Sequence, residues 1–129
     1  MKQILLALLL IATPVSAFTV YEVYAKTNTA ATTGLGDLSS LKAIIADVQA
    51  LAAKGDMPGA AKRITDFESA WDQGQAAIRP LNPEYWGNID DASDAALKAV
   101  RDPKSAADTV KKALANLMAA LSDPSKPAA

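Results

Sequence analysis

Apolar residues recur at intervals of three and four positions in four successive stretches of the chain. This spacing places them on one face of an α-helix and therefore predicts four amphipathic helices. The predicted inward-facing residues, in chain order, are Leu38, Leu41, Ile44, Ile45, Val48, Leu51 and Ala52; Met57, Ala60, Ile64, Phe67, Trp71, Gly74 and Ile78; Tyr85, Trp86, Ile89, Ala92 or Ser93, Ala96, Leu97 and Val100; and Ala106, Val110, Ala113 or Leu114, Leu117 and Leu121.

Capping residues stand between these four sets of inward-facing residues and predict where each helix begins. Asp37, Asp56, Asn82 and Asp102 stand at expected N-cap positions, and a proline follows within the first turn after the last three. Gly55 follows the first stripe as a C′ residue, a position that favours glycine. The short connections predict an all-α fold, an antiparallel up-down four-helix bundle made of two helical hairpins.

A shift of 46 positions aligns the second hairpin with the first. Asp56 then falls on Asp102, and Trp71 falls on Leu117. The alignment predicts two similar hairpins with the same capped turn. One repeated pair is too short for a solenoid, which needs roughly three units to bury a continuous core, so a closed bundle is favoured.

The N-terminal stretch predicts export. Lys2 precedes an apolar run at residues 4–12, and small residues lead up to Ala17. This pattern predicts a signal peptide, residues 1–17, cleaved after Ala17. The alternative is an uncleaved membrane anchor, residues 1–23, because the apolar character continues far enough to span a bilayer. Either case places the rest of the chain outside the cytoplasmic membrane, periplasmic or exported, or anchored in the inner membrane.

Composition divides the remainder of the chain into three parts. Residues 18–36 are rich in Thr, Ala, Asn and Gly without a helical period, which predicts a flexible linker. Residues 37–121 form the predicted bundle. Residues 122–129 are polar and contain proline, which predicts a disordered tail.

The residue types that the sequence lacks reduce the range of functions to be considered. The chain has 28 alanines but no histidine and no cysteine. It therefore lacks the commonest general base, a thiolate nucleophile and a cysteine-based haem attachment. The formal net charge is −1, and there is no basic block of the kind that binds nucleic acid. We expect no enzymatic activity, no cofactor and no nucleic-acid partner.

Two carboxylates flank a tryptophan in the second predicted helix. Glu68 and Asp72 lie one turn apart beside Trp71. Paired carboxylates in helical bundles can hold metal ions, although dinuclear sites of that kind also use histidine. The alternative, a core Trp71 flanked by acids in solvent, agrees better with the usual exposure of carboxylates.

Tyr85 and Trp86 stand at the start of the third predicted helix. Adjacent helical residues cannot both face the core squarely, so we expect one to be buried and the other partly exposed as a ligand or partner contact. The alternative is that both pack over the bundle end with Trp71. Farther along, Asp90, Asp91 and Asp94 are more typical of a solvated helix face than of a calcium loop, which needs a glycine turn.

The pattern of capped turns and tryptophans resembles small exported bacterial alanine-rich helical proteins. The motifs that carry the resemblance are Gly55-Asp56, Ala60-Ala61, Asp66, Glu68-Ser69-Ala70-Trp71-Asp72, Arg79-Pro80, Asn82-Pro83, Trp86 and Ile89-Asp90-Asp91-Ala92. The resemblance implies a leader or anchor followed by a helical domain, and it implies no particular activity. Some members carry a histidine kinase label, but this sequence has no histidine that could accept a phosphoryl group.

These observations together predict a non-enzymatic periplasmic helical module that binds a partner protein of the envelope or a small ligand, as an accessory or sensory domain. The alternatives are a carboxylate-based metal-handling accessory protein and a purely structural envelope protein. Membrane contact is expected only through the N-terminal segment, if it is not cleaved. The candidate contact surface comprises Glu68, Trp71, Asp72, Tyr85 and Trp86.

Overall fold

A computed structural model describes residues 34–127 of the chain. This part consists of helices α1 (Ser39–Ala53), α2 (Met57–Ile78), α3 (Pro83–Arg101) and α4 (Ala107–Ser122). Each helix packs against the next, and α4 packs back against α1, so that the described residues form a closed four-helix bundle. The predicted all-α fold of two helical hairpins is confirmed.

The predicted signal peptide (1–17), the alternative anchor (1–23) and residues 18–33 of the predicted linker lie outside the described residues. Within residues 34–127, no helix combines the length and the apolar character needed to cross a membrane.

The core consists of the inward faces of all four helices, as the periodicity predicts. Its buried apolar residues are Leu35, Leu38, Leu41, Ile45, Val48, Ala60, Ile64, Phe67, Trp71, Ile89, Ala92, Ala96, Ala99, Val100, Val110, Leu114, Leu117, Ala120 and Leu121. Several residues of the predicted stripes are only partly buried and pack against this core: Ile44, Leu51, Ala52, Met57, Ile78, Tyr85, Trp86, Leu97 and Ala113. The buried face of α3 includes four small side chains, those of Ala92, Ser93, Ala96 and Ala99.

The sequence left two core positions open, and the structure decides both. Ala92 and Ser93 are both buried, and the Ser93 hydroxyl donates to the carbonyl of Ile89 at 2.8 Å. That bond satisfies the hydroxyl without a partner from another helix. In α4, Leu114 lies in the core and Ala113 lies at its edge.

The α1–α2 turn follows the predicted capping pattern. Gly55 has a φ of 79°, in the left-handed region, and the N–H of Asp56 reaches the carbonyl of Leu51 at 3.0 Å. This arrangement is a Schellman motif, which satisfies carbonyls at the end of α1. The Asp56 side chain then accepts from the N–H of Gly59 at 3.0 Å and caps α2. At the start of α3, Asn82 accepts from Tyr85 in the same way.

The predicted start of the fourth helix at Asp102 is wrong. Asp102 instead ends α3, and its side chain accepts from the N–H of Lys104 at 2.8 Å to form a local turn. Helix α4 begins at Ala107, and its N-cap residue Ala106 is exposed and makes no side-chain cap. The repeat therefore preserves the hairpins but not the capped turn, because an aspartate can stabilise a turn as readily as a helix start.

Both ends of the bundle extend beyond the predicted limits. Leu35, assigned to the linker, is 2% exposed and belongs to the core. Asp37 does not occupy the N-cap of α1, which is Leu38, although its carboxylate accepts from the N–H of Ser39 at 2.9 Å. One apolar residue within a polar stretch gives no periodic signal, so only packing reveals its burial.

The predicted tail also begins too early. Ser122 is the last residue of α4, and Pro124 is buried. The side-chain amide of Asn88 in α3 donates to the Pro124 carbonyl at 2.9 Å. This contact ties the chain after α4 to the neighbouring helix. Residues 128–129 lie outside the described part of the chain.

Candidate functional site

Three aromatic rings form a continuous stack beside the α2–α3 turn. Phe67 and Trp71 lie one turn apart on α2, with ring centroids 6.4 Å apart and planes 8° from parallel. Trp86 of α3 also stacks on Trp71, with ring centroids 5.8 Å apart and planes 9° from parallel. Rings at these separations gain stabilisation beyond the burial of their surface. The stack therefore helps to fix α3 against α2.

Trp71 is the centre of this arrangement. It is 3% exposed, and its indole N–H donates to Oδ1 of Asp90 on α3 at 3.0 Å. The expectation that Trp71 is a core residue is confirmed. The expectation of a solvated face at Asp90 is wrong, because Asp90 is partly buried and has a specific partner.

Tyr85 and Trp86 do not divide into one buried and one exposed ring. Both are half-buried, and both pack against the core. The other interpretation, in which both rings pack over the bundle end, describes the structure better. Both lie in the first turns of α3, next to the α2–α3 turn.

A guanidinium covers the outer end of the aromatic stack. The Cζ atom of Arg79 lies 5.0 Å from the centroid of the Trp86 ring, within the range of a cation–π interaction. The indole N–H of Trp86 is buried and has no acceptor among residues 34–127. Arg79 follows directly after α2 and is exposed.

An open hollow of about 330 Å³ adjoins this guanidinium. Its lining residues are Asp72, Gln75, Ala76, Arg79 and Pro80. Leu81 follows in the α2–α3 turn and is 59% exposed, the largest exposed apolar side chain among the described residues. We call these six residues the α2–α3 corner. It combines one acid, one base, an amide and an apolar side chain on one surface.

The remaining carboxylates near the stack are engaged in different ways. Glu68 forms an ion pair with Arg101 of α3, and this partner holds the pKa of Glu68 below its usual value. Asp94 forms no ion pair within residues 34–127. Although the residue is exposed, partial desolvation raises its pKa, and the negative charges of nearby carboxylates, first Asp90 and Asp91, raise it further. Within residues 34–127, no group of three or more carboxylates is arranged to hold a metal ion.

The structure thus separates the five predicted contact residues into two groups. Trp71 and Trp86 meet in the stack, with Tyr85 beside them at the bundle end. Glu68 turns to Arg101, whereas Asp72 is exposed and lines the hollow.

Of the six residues of the corner, the predicted contact surface included only Asp72. Arg79 and Leu81 are the most informative of the residues that sequence reasoning missed. The sequence does mark the segment that contains these two residues. Both lie in the proline-bounded break between two helices, where side chains leave the helical period and become available for contacts. Which ring Arg79 would cover depends on how α3 returns along α2.

Comparison of the chain with protein-family models, curated proteins and solved structures found no match. The resemblance to exported alanine-rich helical proteins therefore stays a prediction.

Proposed function

We propose that this protein is a non-enzymatic helical module of the bacterial envelope that binds a partner protein through the α2–α3 corner. The observation that carries the proposal is the combination of an exposed Leu81 with a guanidinium held on the adjacent aromatic stack. Single exposed apolar residues are common on proteins. Here the apolar side chain follows directly after Pro80, which lines an open hollow together with the charged Arg79. Apolar and charged groups also lie side by side in many protein interfaces.

Arginine and tryptophan are among the residues that contribute most to binding at protein interfaces. Trp86 forms part of a rigid stack rooted in the core, so ordering the corner on binding costs little conformational entropy. An apolar run near the N-terminus supports a location outside the cytoplasmic membrane. The absence of histidine and cysteine from the sequence supports an accessory or sensory role over a catalytic one.

The carboxylates give the metal-handling alternative less support. Glu68 is neutralised by Arg101, and Asp90 accepts from Trp71. To bind both carboxylates, a metal ion would have to displace Arg101 from Glu68 and the indole N–H of Trp71 from Asp90.

The test is site-specific photo-crosslinking in cells that produce the full chain. A photoreactive amino acid replaces Leu81, and in a matched strain it replaces Ala43, which is exposed on α1. We expect a discrete crosslinked species from position 81 that is absent from position 43. Crosslinks of equal intensity at both positions, or none at either, would contradict partner binding at the corner.

A further inference from the structure

The chain contains three arginines, and their surroundings differ. Arg63 forms ion pairs with Asp47 and Asp66, both at 2.9 Å. Arg101 pairs with Glu68. Arg79 forms no ion pair within residues 34–127, although the carboxylate of Asp72 lines the same hollow.

Arg79 nevertheless has a neighbouring group that restrains its side chain. Its Cζ atom lies 5.0 Å from the centroid of the Trp86 ring, and Trp86 in turn stacks on Trp71. Stacking uses the face of the guanidinium and leaves the N–H donors in its plane available. Those donors match the two oxygens of a carboxylate in a bidentate pair. A guanidinium that is already positioned loses less rotamer freedom when it binds than one that moves freely in solvent.

We propose that the α2–α3 corner recognises a carboxylate of its protein partner through Arg79, with an apolar side chain of the partner packed on Leu81. This inference rests on the proposed function and adds the chemistry of the bound group. The carboxylate belongs either to an acidic side chain or to a chain terminus, and both present the same pair of oxygens to the guanidinium.

The charge of Asp72 provides a control that distinguishes an anionic ligand from a cationic one. Asp72 lies on α2 seven residues before Arg79, which follows directly after that helix, and both line the hollow. A helical rise over seven residues is roughly 10 Å. A bound carboxylate is repelled by Asp72, whereas a bound cation is attracted to it. Asp72→Asn therefore strengthens binding of an anionic ligand by at most about two-fold, because a charge roughly 10 Å away in water acts weakly and is screened by salt, and it weakens binding of a cationic ligand.

The experiment is an NMR titration of the isotope-labelled full chain with short synthetic peptides, up to about 10 mM because a single contact site gives millimolar affinity. The first peptide combines leucine with glutamate and has blocked ends. The second replaces glutamate with glutamine, and the third with lysine. A fourth is the glutamine peptide with a free C-terminal carboxylate. The resonances observed are the Arg79 Nε–H and the indole N–H of Trp86, with the indole N–H of Trp71 as an internal reference.

We expect the first peptide to shift the Arg79 and Trp86 resonances, and the second and third to leave them unchanged. A shift with the fourth peptide in place of the first would assign the carboxylate to a chain terminus. Arg79→Gln should abolish the shift, and Asp72→Asn should strengthen binding. Arg63→Gln, which removes an equal charge at an arginine that is already paired, should have no effect.

No shift with either carboxylate-bearing peptide, or an equal shift with the lysine peptide, would overturn the inference. The unchanged reference signal of Trp71 shows that Arg79→Gln is folded. The crosslinking experiment separates the two proposals. If position 81 still crosslinks after Arg79→Gln at the same yield, the partner binds at the corner but not through a carboxylate. If position 81 does not crosslink in the wild-type chain, partner binding itself fails.

Discussion

Trp71 donates its indole N–H to Asp90 at 3.0 Å, although the two residues are 19 positions apart in the chain. The bond joins α2 to α3 beside the aromatic stack. It satisfies the one polar atom of an almost completely buried ring. A single hydrogen bond therefore couples the core of the first hairpin to the surface of the second.

Removing the acceptor should destabilise the protein. Asp90→Ala leaves the buried indole N–H of Trp71 without its partner, at a cost of about 1–3 kcal/mol in the free energy of unfolding. Asp90→Asn keeps a carbonyl oxygen at the same place and should cost less. Urea denaturation followed by far-UV circular dichroism measures both variants. Equal losses for the two would show that the negative charge, and not the hydrogen bond, stabilises this contact.

The two aligned aspartates should differ in their contribution to stability. Asp56→Ala removes the N-cap of α2 and should cost about 1 kcal/mol. Asp102→Ala removes only a turn contact to Lys104, because α4 begins five residues later, so its cost should be smaller. Thermal denaturation of the two variants under one condition makes the comparison. A larger loss for Asp102→Ala would contradict the assigned start of α4.

Two glycines inside helices offer a stabilising change and its control. A Cβ added at Gly87 in α3 meets no atom within 4 Å, so Gly87→Ala should stabilise the protein by about 0.8–1 kcal/mol through helix propensity. A Cβ at Gly74 in α2 would lie 3.1 Å from Cδ1 of Ile78. Gly74→Ala should gain less, because the Ile78 side chain has to shift. Chemical denaturation midpoints measure which variant gains more stability. A greater gain for Gly74→Ala than for Gly87→Ala would contradict the prediction.

The carboxylate of Asp94 should make stability depend on pH. Its pKa is raised in the folded state, by burial first and by neighbouring carboxylates second. The folded state therefore binds the proton more tightly than the unfolded state does, and the resulting stability is lost as the pH rises through the folded pKa. Asp94→Asn should raise the melting temperature at neutral pH, and this difference should shrink to zero below about pH 4, near the ordinary pKa of an aspartate.

Glu68 serves as a control for that experiment because its pKa is shifted in the opposite direction to that of Asp94. Its pKa is lowered by Arg101, so its stabilising contribution is present above the unfolded pKa and is lost as the pH falls through the folded one. Glu68→Gln should therefore lower the melting temperature at neutral pH, and only slightly, because the ion pair is partly exposed. Identical pH profiles for the two variants would contradict the assigned environments.

Much of the fold is encoded in local signals. The stripes of α1 and α2, the glycine after α1 and the caps at Asp56 and Asn82 could all be predicted because each depends on residues within one or two turns. The fourth helix shows the limit of this reasoning. Asp102 and the proline after it suit either a helix start or a turn, and the competing end of α3 at Asp102 decides between them.

The candidate site was predictable only in part. Trp71 followed from the helical period, but its partner Asp90 lies on another helix, and no local rule relates their positions. The same holds for Arg79, which reaches Trp86 only because α3 folds back beside α2.

The sequence by itself determined the number of helices, their inward faces and the residues that interrupt them, because periodicity and capping act within a helix. The tertiary structure alone decided which polar groups find partners. It buried Leu35, paired Glu68 with Arg101 and left Arg79 exposed beside Trp86. These outcomes depend on distances of a few ångströms between side chains on different helices, and helix packing sets those distances.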